Sequence, residues 1–223
     1  MALPSDSDPW SVSEPALHRE LRRRLRNDEP AVVATIVDVE GSAYRRPGAK
    51  MLVADGGESL GAVTAGCLEG PVVDLASSVQ SEGRARLETF DLMDDDEWGL
   101  GLGCNGIIDL LLEPLDGSFD PALSALDDRE SAVIVTAVES SDPAVAAGDR
   151  TVIDERGERA PPAEREPLPE RVLDTADATI DEIRTAGNAT SIEVETADGT
   201  VRLLVDPLEP APRLLLFGNQ NDV

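Results

Sequence analysis

The residues best equipped for chemistry crowd into one stretch, Glu40 to Glu69, which holds Arg45, Arg46, Lys50, Cys67 and Glu69. Lys50 is the sole lysine of a chain with 45 acidic and 19 basic residues. Three cations between positions 45 and 50 therefore mark the place where an anionic ligand would be held. Adjacent backbone N–H groups in a Gly-rich turn form an anion nest. Ser42 adds a hydroxyl donor, Arg45 or Arg46 can grip a phosphate through two parallel N–H bonds, and Lys50 adds a point charge. If the stretch is extended, only one of the two arginines points inward. Cys67 follows Gly66 and precedes a helical pattern, where the helix dipole favours thiolate. Glu69, in the first turn, either opposes that effect or caps the helix. Cys104 sits in a second Gly-rich loop, Gly99 to Gly106 (GLGLGCNG). By themselves these residues describe an anion site with a nucleophilic or ligating thiol. The alternative is close-packing turns with inert core cysteines.

Composition removes several function classes. A net charge of -26 repels nucleic acid. No run of about 18 apolar residues suggests a membrane span, and the first residues lack the pattern of a signal peptide. One histidine, His18, excludes a Ser-His-Asp or Cys-His hydrolase, and the reading of His18 is a solvated or half-buried helix residue. Two cysteines make neither a disulfide scaffold nor a zinc pattern, so no metal site is expected. Asp94 to Glu97 reads as a solvated acidic loop tip. Replacement of surface lysine by acids and arginine reads as adaptation to a high-salt cytoplasm.

Positioning these residues requires a framework of alternating elements. Residues 1–13 read as a disordered tail and 14–206 as one α/β domain, a mixed β-sheet with flanking helices. Its helices are expected near Ser13 to Asn27, Leu68 to Ser81, Pro121 to Asp128 and Ala176 to Ala186. Strands are expected at Ala31 to Val39, Ala49 to Ala54, Ser59 to Val63, Arg84 to Phe90, Ile107 to Leu112, Ala132 to Val138, Ser191 to Thr196 and Thr200 to Val205. Residues 140–171 read as loops and short hairpins. Residues 207–212 (PLEPAP) read as a linker. Residues 213–223 read as the first strand and turn of an incomplete Rossmann-like domain, unless that strand pairs with the preceding domain.

At the Gly-rich turns the sequence resembles the XdhC/CoxI family, accessory factors of xanthine dehydrogenase and related molybdenum hydroxylases. The first family motif stands here as Gly41-Ser42-Ala43-Tyr44-Arg45 and Gly48-Ala49-Lys50-Met51. The second stands as Thr64-Ala65-Gly66-Cys67-Leu68-Glu69. The third runs from Gly101-Leu102-Gly103-Cys104-Asn105-Gly106 to Glu113-Pro114. The resemblance implies a cytoplasmic protein that binds molybdenum cofactor transiently, protects it, assists its sulfuration with a cysteine desulfurase and delivers it to the apoenzyme. It implies a chaperone rather than an enzyme, and leaves a homodimer open. Matching positions give Ser42, Arg45, Gly48, Gly66, Cys67, Glu69, Gly103 and Cys104 as cofactor-binding candidates; Arg46 and Lys50 follow from charge. The expectation is that the loops meet, with guanidinium groups on one side of a pocket and sulfur on the other. The alternatives are a sulfur-transfer or redox enzyme with Cys67 as persulfide carrier, and a structural, partner-binding fragment. Ala43-Tyr44 and Thr64-Ala65 depart from the family's small residues and imply less open turns. Gly218 to Asp222 lacks the second glycine of a dinucleotide turn, so NAD is not expected.

Overall fold

The computed structural model describes residues 12–92, 105–160 and 162–213. The acidic tip 94–97, Gly103, Cys104 and the strand expected from 213 onward, apart from Arg213 itself, lie outside them.

The chain states one structural theme twice. Helix α1 (Glu14–Arg26) leads into strands β1 (Ala31–Ser42), β2 (Lys50–Ala54) and β3 (Ser59–Gly61). Helix α2 (Glu69–Glu82) and strands β4 (Arg86–Asp91) and β5 (Asn105–Pro114) complete the first half. The second half repeats the order. A 3₁₀ turn (Gly117–Phe119) and α3 (Asp120–Asp128) lead into β6 (Ala132–Ser140), β7 (Arg150–Asp154) and β8 (Arg159–Ala160). Then come α4 (Glu170–Ala186), β9 (Thr190–Thr196) and β10 (Gly199–Leu208). Each half makes a five-stranded antiparallel sheet, ordered β3-β2-β1-β5-β4 and β8-β7-β6-β10-β9. The registers coincide: Thr35 faces Lys50 across β1–β2, and Thr136 faces Arg150 across β6–β7. Even the irregularities match, with Val37 skipped between β1 and β5 and Val138 between β6 and β10.

The β-branched run at the start of β1 is apolar on both faces because both are covered. Val32, Ala34 and Ile36 pack with Val72 and Val79 of α2. Val133, Val135 and Ala137 pack with Val172 and Ile180 of α4. The opposite sheet faces meet in a central seam. Val33 and Leu52 from the first sheet join Ile134 and Val152 from the second, with Leu21 of α1 and Leu123 of α3. The layers run helix, sheet, sheet, helix, built from Val, Leu, Ile and Ala as the 3% aromatic content requires.

Two buried ion pairs cross this seam. Lys50 of the first half pairs with Asp206 of the second, and Arg150 of the second pairs with Glu113 of the first. Glu113 faces Val33 and Asp206 faces Ile134, so the two pairs occupy matching places. The sequence retains a trace of this in LLLEPL (Leu110 to Leu115) and LLVDPL (Leu203 to Leu208).

The α/β class stands as expected from the sequence. β10 continues through Pro207 and Leu208, so these first two residues of the expected linker belong to a strand. β9 pairs with β10 only as far as Val205, which leaves Pro207 an open edge where a missing N–H costs no ladder bond. α4 begins at Glu170 rather than near Ala176, because Val172 and Leu173 already lie on its buried face.

Candidate functional site

The loop before α2 is held by two side chains. Glu69, only 5% exposed, accepts from Thr64 N (2.9 Å), Thr64 Oγ1 (2.6 Å) and Gly66 N (2.9 Å). Thr64 Oγ1 in turn accepts from Cys67 N and Leu68 N, each at 3.1 Å. The backbone donors of this turn are thus engaged by the protein itself. Thr64, a departure from the small residue of the resembled motif, closes the turn, its hydroxyl adding three hydrogen bonds. The result is a half-buried Cys67 on a fixed backbone, two residues before the first residue of α2.

The cationic loop takes a different place. Ser42 ends β1, exposed, opposite Asn105. Beyond it, Ala43 packs into the same apolar cluster as Leu68 and Leu92, on the α2 side of the sheet. Arg45 to Lys50 then turn to the seam side. Lys50 is 8% exposed; its Nζ donates to Asp206 and, at 2.9 Å, to Gly48 O. Gly48 has φ +88°, and a Cβ there would lie 2.6 Å from Ala189 Cβ and 3.0 Å from Asp206 Oδ1. This turn therefore demands glycine on both counts.

Arg45, Arg46, Gly48 and Lys50 line one cleft of about 480 Å³, together with His18 of α1 and Asp206 of β10. Arg45 is half-buried and Arg46 exposed, and neither makes an ion pair among the described residues. The His18 imidazole is pushed down to about 4, first by burial and then by the positive Lys50, so it is neutral at ordinary pH. Sequence reasoning missed His18 and Asp206. No spacing ties them to Arg45, and the tie is made only by the seam.

The structure thus assembles the cleft group and, separately, a group of Gly66, Cys67 and Glu69. Cys67 does not line the cleft. Lys50 shares the seam face with Leu52, whereas Leu68 joins Met51 and Val53 on the α2 face. Gly103 and Cys104 fall outside the described residues; the adjoining Asn105 starts β5 beside Ser42.

Both loops lie inside the segment, residues 24–91, that matches the XdhC and CoxI family model, and the chain belongs to that family. It is similar to a probable xanthine dehydrogenase component of Bacillus subtilis (strain 168), 30% identical over 207 residues, covering 90% of this chain and 56% of that protein. It is also similar to the molybdenum cofactor insertion chaperone PaoD of Escherichia coli (strain K12). There the identity is 32% over 130 residues, covering 54% of this chain and 40% of that one. Among solved structures, the crystal structure of a xanthine dehydrogenase from Bacillus halodurans superposes with a TM-score of 0.64 at 26% identity. The match covers 86% of this chain and 52% of that one. The chain spans about half the length of the curated relatives it matches.

Proposed function

We propose that this chain serves as an accessory factor for a molybdenum hydroxylase of the xanthine dehydrogenase type. It holds molybdenum cofactor, keeps it presented for sulfuration by a cysteine desulfurase, and passes it to the apoenzyme in the cytoplasm. The observation that carries this reading is the Cys67 loop. Within the family-matching segment, buried Glu69 and Thr64 fix a half-buried thiol. His18, the one histidine of the sequence, lines a cleft that Cys67 does not line. A cysteine thiolate is a soft donor suited to ligating a soft metal centre.

The residues fit the group. Cys67 offers sulfur to a molybdenum centre, while Arg45 and Arg46, without an ion pair among the described residues, line a separate cleft suited to an anion. When bound, the cofactor supplies the metal centre that the recipient enzyme needs; this chain's residues bind, orient and shield. PaoD, the insertion chaperone among the relatives, supports the same role. No helix among the described residues is long and apolar enough to cross a membrane.

The test mixes purified chain with molybdenum cofactor released from a molybdoenzyme and follows molybdenum and pterin fluorescence through gel filtration. Co-elution is expected, with at least a tenfold loss in Cys67→Ser. Equal retention by Cys67→Ser and the parent chain would refute the reading.

A further inference from the structure

The two halves differ in one instructive respect: the place that is an open cleft in the first is filled in the second. The matching positions are Gly48 and Gly148, Lys50 and Arg150, Asp206 and Glu113. Gly48 N bonds Ile36 O and Gly148 N bonds Ala137 O, with Ala189 and Ala85 as the corresponding close neighbours. Over Gly148 lies the Arg165 guanidinium, whose Nη1 would sit 2.4 Å from a Cβ on that glycine. Arg165 Nε pairs with Asp116 at 2.6 Å and Nη2 lies 4.0 Å from Glu113. The second half therefore closes its own cleft with a cation between two acids.

Arg165 belongs to the connection between β8 and α4. The corresponding connection in the first half, between β3 and α2, is tied down on Glu69 and contributes no residue to the cleft beyond Gly61, where β3 ends. Among the described residues, no chain segment fills the first cleft. Its charge is also altered. The bond from Ala49 N to Arg46 O has its counterpart from Asp149 N to Ala146 O, which aligns Arg45 with Val145 and Arg46 with Ala146. Val145 is buried in the second core. The first half replaces this apolar pair with two arginines. The cleft then carries three cations, Arg45, Arg46 and Lys50, against the carboxylates of Asp206 and Glu14. Most arginines of this chain lie against acids, as the excess of 45 acidic over 19 basic residues would predict. Two adjacent arginines with no carboxylate partner among the described residues, on a cleft of about 480 Å³, depart from that pattern.

We propose that this cleft between the two repeats binds the phosphate group of a small phosphomonoester, with Arg45 and Arg46 as its grip and the Lys50–Asp206 pair as a fixed floor. Lys50 is held by Asp206 and Gly48 O, so the arginines supply the free donors. The volume suits a ligand of small-molecule size. The cleft lies on the seam side of the sheet, apart from the Cys67 cluster, and the proposal rests on the cofactor reading only for the identity of the ester.

Calorimetry on the full chain at about 0.15 M salt, where long-range charge is screened, compares inorganic phosphate, riboflavin 5′-phosphate and riboflavin. Binding of the phosphorylated probes is expected, with at least tenfold weaker affinity in Arg45→Ala/Arg46→Ala and no change in Arg156→Ala, an exposed arginine of the second half. Asn188→Trp, which obstructs the cleft without changing charge, should also weaken binding and guards against misfolding of the double variant. Inorganic phosphate binding as tightly as the ester supports a free-anion site, and tighter ester binding supports the ester. Absence of phosphate binding, equal weakening by Arg156→Ala, or riboflavin binding as well as its phosphate would overturn the proposal. Full cofactor retention by the arginine double variant, with loss in Cys67→Ser, overturns the cofactor's phosphate as the ester and leaves the accessory role standing. Phosphate binding without cofactor retention does the reverse.

Discussion

The crossed ion pairs should behave as coupled units, and Arg150–Glu113 tests this best. Arg150 is 0% exposed and Glu113 2% exposed, and the guanidinium also lies 4.0 Å over the Phe119 ring. Arg150→Met leaves a buried carboxylate with only Arg165 nearby, at 4.0 Å. Breaking one partner of a buried pair costs about 3–5 kcal/mol. For a domain of this size that corresponds to a fall in Tm of roughly 10 °C. Arg150→Met/Glu113→Leu removes both charges and should recover most of the loss, ending within about 1 kcal/mol of the parent or above it. Burial already pushes the Glu113 carboxyl up, against the pull of Arg150 and Arg165. Without Arg150 it rises further, so the folded state takes up a proton that the unfolded state releases. Stability of the single variant should then fall as pH rises above the ordinary carboxylate value of 4.5. The assay is urea unfolding of both single variants and the double at pH 5 and pH 8. A coupling energy near zero, or a loss in Arg150→Met that does not grow with pH, would refute the reasoning.

Three further outcomes follow from the geometry. Glu69→Gln turns one accepting oxygen into a donor amide opposite donors, and should cost about 1–3 kcal/mol while speeding hydrogen exchange at Thr64 and Gly66; unchanged exchange would show that Glu69 does not hold the loop. Gly48→Ala meets Ala189 at 2.6 Å as well as an unfavourable φ, whereas Gly56→Ala, at φ +97°, meets nothing within 4 Å. The first should therefore lose more than the roughly 1–2 kcal/mol of backbone strain that the second pays, and equal melting temperatures would contradict this. His18 should titrate by NMR near 4, and Lys50→Met should move its midpoint upward. The depressed value means that the unfolded state takes the proton first, so stability is lost as pH falls from about 6.5 towards 4. The loss is at most about 3 kcal/mol, and less for partial exposure. A midpoint at 6.5 would place His18 in solvent.

What the sequence disclosed depended on the distance over which each signal acts. Periodicity within ten residues located the helices and most strands, because local burial writes its pattern locally. The cationic loop and the thiol loop stood out by residue type. Their relation did not, since Arg45 and Cys67 are separated by β2 and β3, and the two faces of one sheet decide which cluster each joins. The duplication was also hidden. Its halves share only short scattered matches, such as AVVAT with AVIVT and LLLEPL with LLVDPL, and an ion pair kept in place is written as Lys50–Asp206 in one half and Glu113–Arg150 in the other. Read along the chain, a lone lysine in an acidic protein suggests a ligand contact. Read through the seam, it is the partner of a carboxylate 156 residues away. Under the proposed cleft, that reassignment gives the anion-binding task to Arg45 and Arg46, which make no ion pair among the described residues. Duplication explains how such a site can arise. Two copies of one framework need only one closed seam to fold, so the copy whose connection is tied back on Glu69 can keep its cleft open while the other fills its own with Arg165.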